Sequence, residues 1–132
     1  MQYVLLFRLD EKRWADLPPA DTARLWAECD AFAQDMARTN VGRCGGALQP
    51  TTTATTVRER AGQTVFSDGP FAETKEALAG YQIVECPTVN DAIALAKRFP
   101  PLQLEGTSVE IRPLMTEADE KKRWGEEGRS PG

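Results

Sequence analysis

The chain alternates between stretches with apolar residues at every second position and stretches with apolar residues three to four apart. In the opening strand, Tyr3, Leu5, Phe7 and Leu9 fall on one face, and Val4 and Leu6 on the other. Apolar residues on both faces mean that both faces are covered. Helices of the same chain can cover one; a second subunit is expected over the other. Leu17-Pro18-Pro19-Ala20-Asp21 then opens a helix, because proline suits a first turn in which its missing N–H would have no partner. Leu25, Cys29, Phe32 and Met36 form the helix's apolar stripe, with Arg24, Glu28, Asp35 and Arg38 off it. Asn40 and Gly42 suit its end. Trp26 sits beside the stripe, which predicts a place at the core edge, with an interface as the alternative.

The segment from Arg43 to Gln49 contains Gly45-Gly46, a backbone that bends easily or admits a close neighbour. A phosphate cradle is the functional alternative, but neither G-x-G-x-x-G nor a Walker pattern is present. Thr51 to Arg60 and Thr64-Val65-Phe66, joined by Ala61-Gly62-Gln63, read as a β-hairpin. A turn and a short helix are expected through Ser67–Gly80, then a strand from Tyr81 to Cys86 that Pro87 ends. Thr88-Val89-Asn90-Asp91 has capping-box spacing. Val89, Ala92, Ile93, Ala96 and Phe99 form the stripe of a second long helix, which Pro100-Pro101 stops. Thr107 to Leu114 is the last strand, and Pro113 marks it as an edge or an end. Helices on one side of an antiparallel sheet give the class α+β, and split βαβ halves predict a ferredoxin-like sandwich. The domain is expected to run to residue 115. Residues 116–132 are mostly charged, and a frayed helix or a disordered tail is expected there, with Trp124 as a potential anchor to a neighbour.

Composition narrows the function classes. A chain of 132 residues is one domain, and a net charge of −4 gains nothing from counterion release, so no nucleic-acid partner is expected. Three scattered cysteines and the absence of histidine exclude the usual zinc site, and no cofactor is expected. The N-terminal apolar run is too short for a signal peptide and nothing reaches membrane-spanning length, so the expected location is cytoplasmic, without membrane contact.

The densest mixture of acid, base and aromatic side chains is Ser67-Asp68-Gly69-Pro70-Phe71-Ala72-Glu73-Thr74-Lys75-Glu76. Each residue has a structural role available. Asp68 can accept a backbone hydrogen bond two residues on, Gly69 permits positive φ, and Pro70 fixes the next φ. Phe71 would plug the core, while Glu73 and Glu76 would suit the start of a short helix. The functional alternative places Asp68, Glu73, Lys75 and Tyr81 along a cleft with Arg112 or Glu110. Asp68 is then the catalytic candidate, as a general base. Glu73, Lys75, Tyr81 and Arg112 are the substrate-binding candidates, with Arg112 gripping a carboxylate through paired hydrogen bonds.

This signature resembles that of the DGPF group of YCII-related proteins. The similarity extends over Tyr3-Val4-Leu5-Leu6, Leu17-Pro18-Pro19, Gly45-Gly46-Ala47-Leu48-Gln49-Pro50, Thr52 to Arg58, Asp91-Ala92-Ile93 and Val109 to Leu114. The resemblance implies a ferredoxin-like fold in a homodimer of the dimeric α/β-barrel type. Some members are thought to use a histidine–aspartate dyad; here only the acidic half could survive, as Asp68. Others accompany extracytoplasmic-function sigma factors, which implies a regulatory, partner-binding module as the alternative to a small-molecule cleft with metal-free acid–base chemistry.

Overall fold

The computed structural model describes residues 1–125. Strand β1 (Gln2–Leu9) is central, paired antiparallel with β5 (Ala77–Glu85) on one side and β6 (Ser108–Pro113) on the other. With β2 (Gly42–Ala47) outside β5, the order is β2-β5-β1-β6, all antiparallel. Helix α2 (Pro19–Arg38) connects β1 to β2, and α3 (Val89–Ala96) connects β5 to β6. Two split βαβ halves interleaved in this order make the ferredoxin-like α+β sandwich that the sequence predicts. Between β2 and β5 the chain inserts a separate two-stranded hairpin of β3 (Thr55–Arg60) and β4 (Gln63–Asp68).

The core lies between the sheet and its helices. Leu5 and Val84 are fully buried there, with Tyr3, Phe32, Met36, Ala92 and Ala96 around them. Phe7 and Phe99 stack at 4.2 Å, fixing the end of the α3 segment against β1. Asp35 on α2 accepts hydrogen bonds from Arg98 and Arg38, and these guanidinium contacts hold its carboxyl below the usual carboxylate range. Helix α3 starts with the expected capping box, Thr88 and Asp91 each accepting from the other's N–H. Its buried positions are Ala92 and Ala96, whereas Val89 and Ile93 of the expected stripe remain exposed.

Two expectations about the signature are corrected, and one element is added. No helix follows the signature: residues 71–76 are bends and irregular chain, and β5 begins at Ala77, because Ala77, Leu78 and Gly80 pair with β1 and Gly80 also pairs with β2. Phe71 does not plug the core; it is 80 % exposed, since it stands in the turn region beyond the hairpin. A five-residue helix α1 (Glu11–Ala15) that the apolar pattern does not signal follows β1, capped by Asp10, which accepts from Lys12 and Arg13 N–H. The C-terminal segment begins as helix α4 (Glu117–Trp124), with a capping box between Thr116 and Asp119. Residues 126–132 of the expected tail lie outside the described residues. Among the described residues, no helix is long and apolar enough to cross a membrane.

Candidate functional site

A cleft of about 870 Å³ opens between α2 and the β2–β5–β1 part of the sheet. Its volume lies in the range of small-molecule sites. Trp26, Cys29, Phe32 and Met36 wall it from α2, and Phe7 and Gly80 from the sheet. Trp14 from α1 and Leu48 beyond β2 complete it toward solvent. Trp14 and Trp26 meet edge to face with ring centroids 5.9 Å apart. Helix α1 is tied over this region because Glu11 accepts from Thr51 N–H at 2.9 Å and also from the Thr51 hydroxyl.

Sequence chemistry shapes the floor. A Cβ on Gly45 would stand 2.4 Å from the Tyr81 carbonyl oxygen, so only glycine lets β2 lie this close to β5. Polar groups in the walls are few. The Gln82 amide donates to the Cys44 carbonyl at 3.2 Å and to the Ile83 carbonyl at 3.0 Å, and Asp30 accepts from Gln34 at 2.8 Å. Lys12 has no side-chain partner among the described residues, leaving its ammonium free to meet an acidic group. Burial, and secondarily the Glu28 charge, raise the pKa of the Cys29 thiol, so at neutral pH it is a packing group and not a thiolate nucleophile.

Of the sequence candidates, Tyr81 is on the β5 segment that lines the cleft, while Asp68, Glu73, Lys75 and Arg112 are outside it. Strand alternation places Tyr81 across from Leu6 and Arg112 across from Val4, on the face of the sheet away from the helices. Glu110 shares that face and binds Arg8 at 3.2 Å. Asp68 closes β4 opposite Thr55, with Glu73 and Lys75 on the exposed irregular stretch that follows.

The turn forms without the aspartate side chain. Gly69, at φ +99°, donates its N–H to the Ala54 carbonyl at 2.8 Å, and the Thr56 hydroxyl donates to the Gly69 carbonyl at 2.7 Å. Arg58 donates to the Phe71 carbonyl at 3.0 Å and stands 5.5 Å above its ring. The expected Asp68 backbone bond is not made, because these other donors and acceptors already hold the turn. At low protein concentration, Asp68→Ala is therefore expected to change stability by less than about 0.5 kcal/mol, as at other exposed positions. A melting temperature several degrees lower would restore the structural role.

The aromatic cleft is the feature that sequence spacing missed. Its only local signal was Trp26 standing off the apolar stripe of α2, half exposed at 54 %.

Comparison with known proteins gives three findings. The model of the YCII-related domain matches residues 1–116. An uncharacterized protein from Rhizobium meliloti (strain 1021) is 43 % identical over 67 residues, which are 51 % of this chain and 54 % of that protein. The chain thus spans about half the length of this curated relative. Among solved structures, it is similar to 5-chloro-2-hydroxyhydroquinone dehydrochlorinase from Burkholderia phenoliruptrix AC1100, in complex with 2,5-dihydroxybenzoquinone. That likeness has a TM-score of 0.47 and 12 % identity, and covers 89 % of this chain and 97 % of the other.

Proposed function

The chain belongs to the YCII-related family, and we propose that it binds a small, largely apolar aromatic molecule in the cleft beneath α1 and α2. The observation that carries this reading is the aromatic-walled cleft itself, with Trp14 and Trp26 at its opening and only a few polar groups around it. Ligand sites have this composition, an apolar body with sparse polar anchors that set orientation. Lys12 supplies the anchor for a carboxylate or a phenolate. An acid–base role for Asp68 is a separate proposal, since within one chain that carboxylate lies outside the cleft.

Two of the three tryptophans line the cleft, so ligand entry is readable in their fluorescence. Titration with 8-anilinonaphthalene-1-sulfonate is expected to quench them, and benzoate to displace the dye. Trp26→Ala should weaken dye binding about tenfold, since a stacked aromatic contact together with its buried area contributes on the order of 1–2 kcal/mol. Dye affinity unchanged in Trp26→Ala would sink the assignment.

The assembly proposed is a homodimer through the helix-free face of the sheet, supported by Val4, Leu6, Ile83 and Tyr81 on that face. A regulatory module that binds a transcription-related protein, such as an extracytoplasmic-function sigma factor, is the competing reading. The exposed Phe66 and Phe71 favour some protein contact. In the competing reading the wild-type chain remains monomeric on its own, and the cleft ignores benzoate.

A further inference from the structure

We propose that the β3–β4 hairpin is a dimerisation arm, whose Val57–Phe66 face seats on the helix-free face of the sheet in a second copy and brings Asp68 to Arg112 of that copy. The inference rests on the homodimer reading and adds to it the element that reaches across and the charge pair that fixes its register.

An isolated two-stranded hairpin is at best marginally stable in water. Among the described residues, β3 and β4 pair with each other and with no other strand, and they make no extensive contact with the rest of the domain. Neither strand contains a buried residue, yet the hairpin carries Val57 at 58 % exposure and Phe66 at 69 %. The register sets these two directly opposite one another, and sets Asp68 opposite Thr55 one step along the same face. The result is an apolar patch with a carboxylate at each end, Asp68 on one side and Glu59 on the other.

The helix-free face of the sheet is its counterpart. Val4 and Leu6 on β1 and Ile83 on β5 form an apolar centre, Val4 lying across from Ile83 on one side and from Arg112 on the other. Arg8 and Glu110 on this face already pair within the chain. Arg112 has no acidic partner among the described residues, and Asp68 has no basic one. The hairpin patch therefore carries two carboxylates, Asp68 and Glu59, and the sheet patch one guanidinium, Arg112, each without an oppositely charged partner among the described residues. A twofold axis would make the contact twice, each arm resting on the other copy's sheet. Across such an interface, charges beside an apolar centre select register and orientation.

Sedimentation equilibrium tests the proposal through a charge exchange. Wild type is expected to dimerise. Asp68→Arg and Arg112→Asp, singly, should each raise the dimer dissociation constant at least about tenfold. The double variant Asp68→Arg/Arg112→Asp should return to within a few-fold of wild type. Phe66→Asp should yield a folded monomer by circular dichroism; if that variant fails to fold, the exchange at the two exposed positions still decides. A wild type that is monomeric at every concentration overturns the arm and the homodimer together. A dimer that tolerates Phe66→Asp and both single charge reversals overturns the arm alone, and so does a double variant that fails to recover. Dye binding in the cleft is read on the same samples and is independent of all these outcomes.

Discussion

Gly45→Val is expected to lower the melting temperature by on the order of 10 °C and to abolish dye binding in the cleft. Propensity alone points the other way. Valine fits a strand better than glycine, and the whole β-propensity scale spans about 1 kcal/mol. Sterics decide. The first side-chain atom would stand 2.4 Å from the Tyr81 carbonyl, 2.8 Å from Gln82 Oε1 and 3.0 Å from Gln82 Cα. Two of those three atoms cannot swing aside: the carbonyl oxygen and the Cα belong to the β5 backbone. To admit a Cβ, β2 must move away from β5, breaking pairing that runs through Gly45↔Gln82 and Gly46↔Tyr81. A loss of roughly 3 kcal/mol follows, at the upper end for a single substitution, and several degrees per kcal/mol for a domain of this size. Because Gly45 also lies in the cleft wall, the displacement reaches the site. Gly46→Ala is the control: nothing stands within 4 Å of its Cβ position, so it should melt near wild type. If Gly45→Val melts like the control, the close approach of the two strands is not as described.

The parts of this fold that the sequence displays are those held by a period. Tyr3, Leu5 and Phe7 announce β1, the spacing of Leu25, Phe32 and Met36 announces α2, and Ala61-Gly62 turns the hairpin with φ of +49° and +78°. The stretch from Ala77 to Gly80 misleads because alanine and leucine favour helices locally. Tertiary pairing overrides that preference: β1 and β2 flank the stretch, and Gly80 lets the Gly46 carbonyl approach to 2.9 Å from its Cβ position. Helix α1 is too short to show a period, and only the Asp10 cap marks it. Phe71 shows that an aromatic residue in a signature is not evidence of burial. The site was less legible than the fold for a simple reason. Its walls come from five separated stretches, around Trp14, Trp26, Gly45, Gly80 and Phe99, and no spacing rule links positions that only the fold brings together.

Leu5→Ala should cost roughly 2–5 kcal/mol and yet leave the cleft able to bind, which separates stability from site. Leu5 is fully buried on the central strand, between Gln82 on β5 and Ile111 on β6, in the cluster with Phe32 and Met36. Truncation removes the transfer energy of the lost methyl groups and adds a cavity term, because neighbours held on two adjoining strands can close only part of the void. Leu5 does not line the cleft, although Phe32 and Met36 on the facing helix do. Dye titration well below the lowered melting temperature is therefore expected to give an affinity within a few-fold of wild type. Gly45→Val, by contrast, should lose stability and binding together. The pair of variants thus distinguishes a cleft that is a site in its own right from one that is incidental looseness between helix and sheet. Were it looseness, emptying the core at Leu5 would alter dye binding as strongly as moving β2, and the assignment of the cleft as a ligand site would fall.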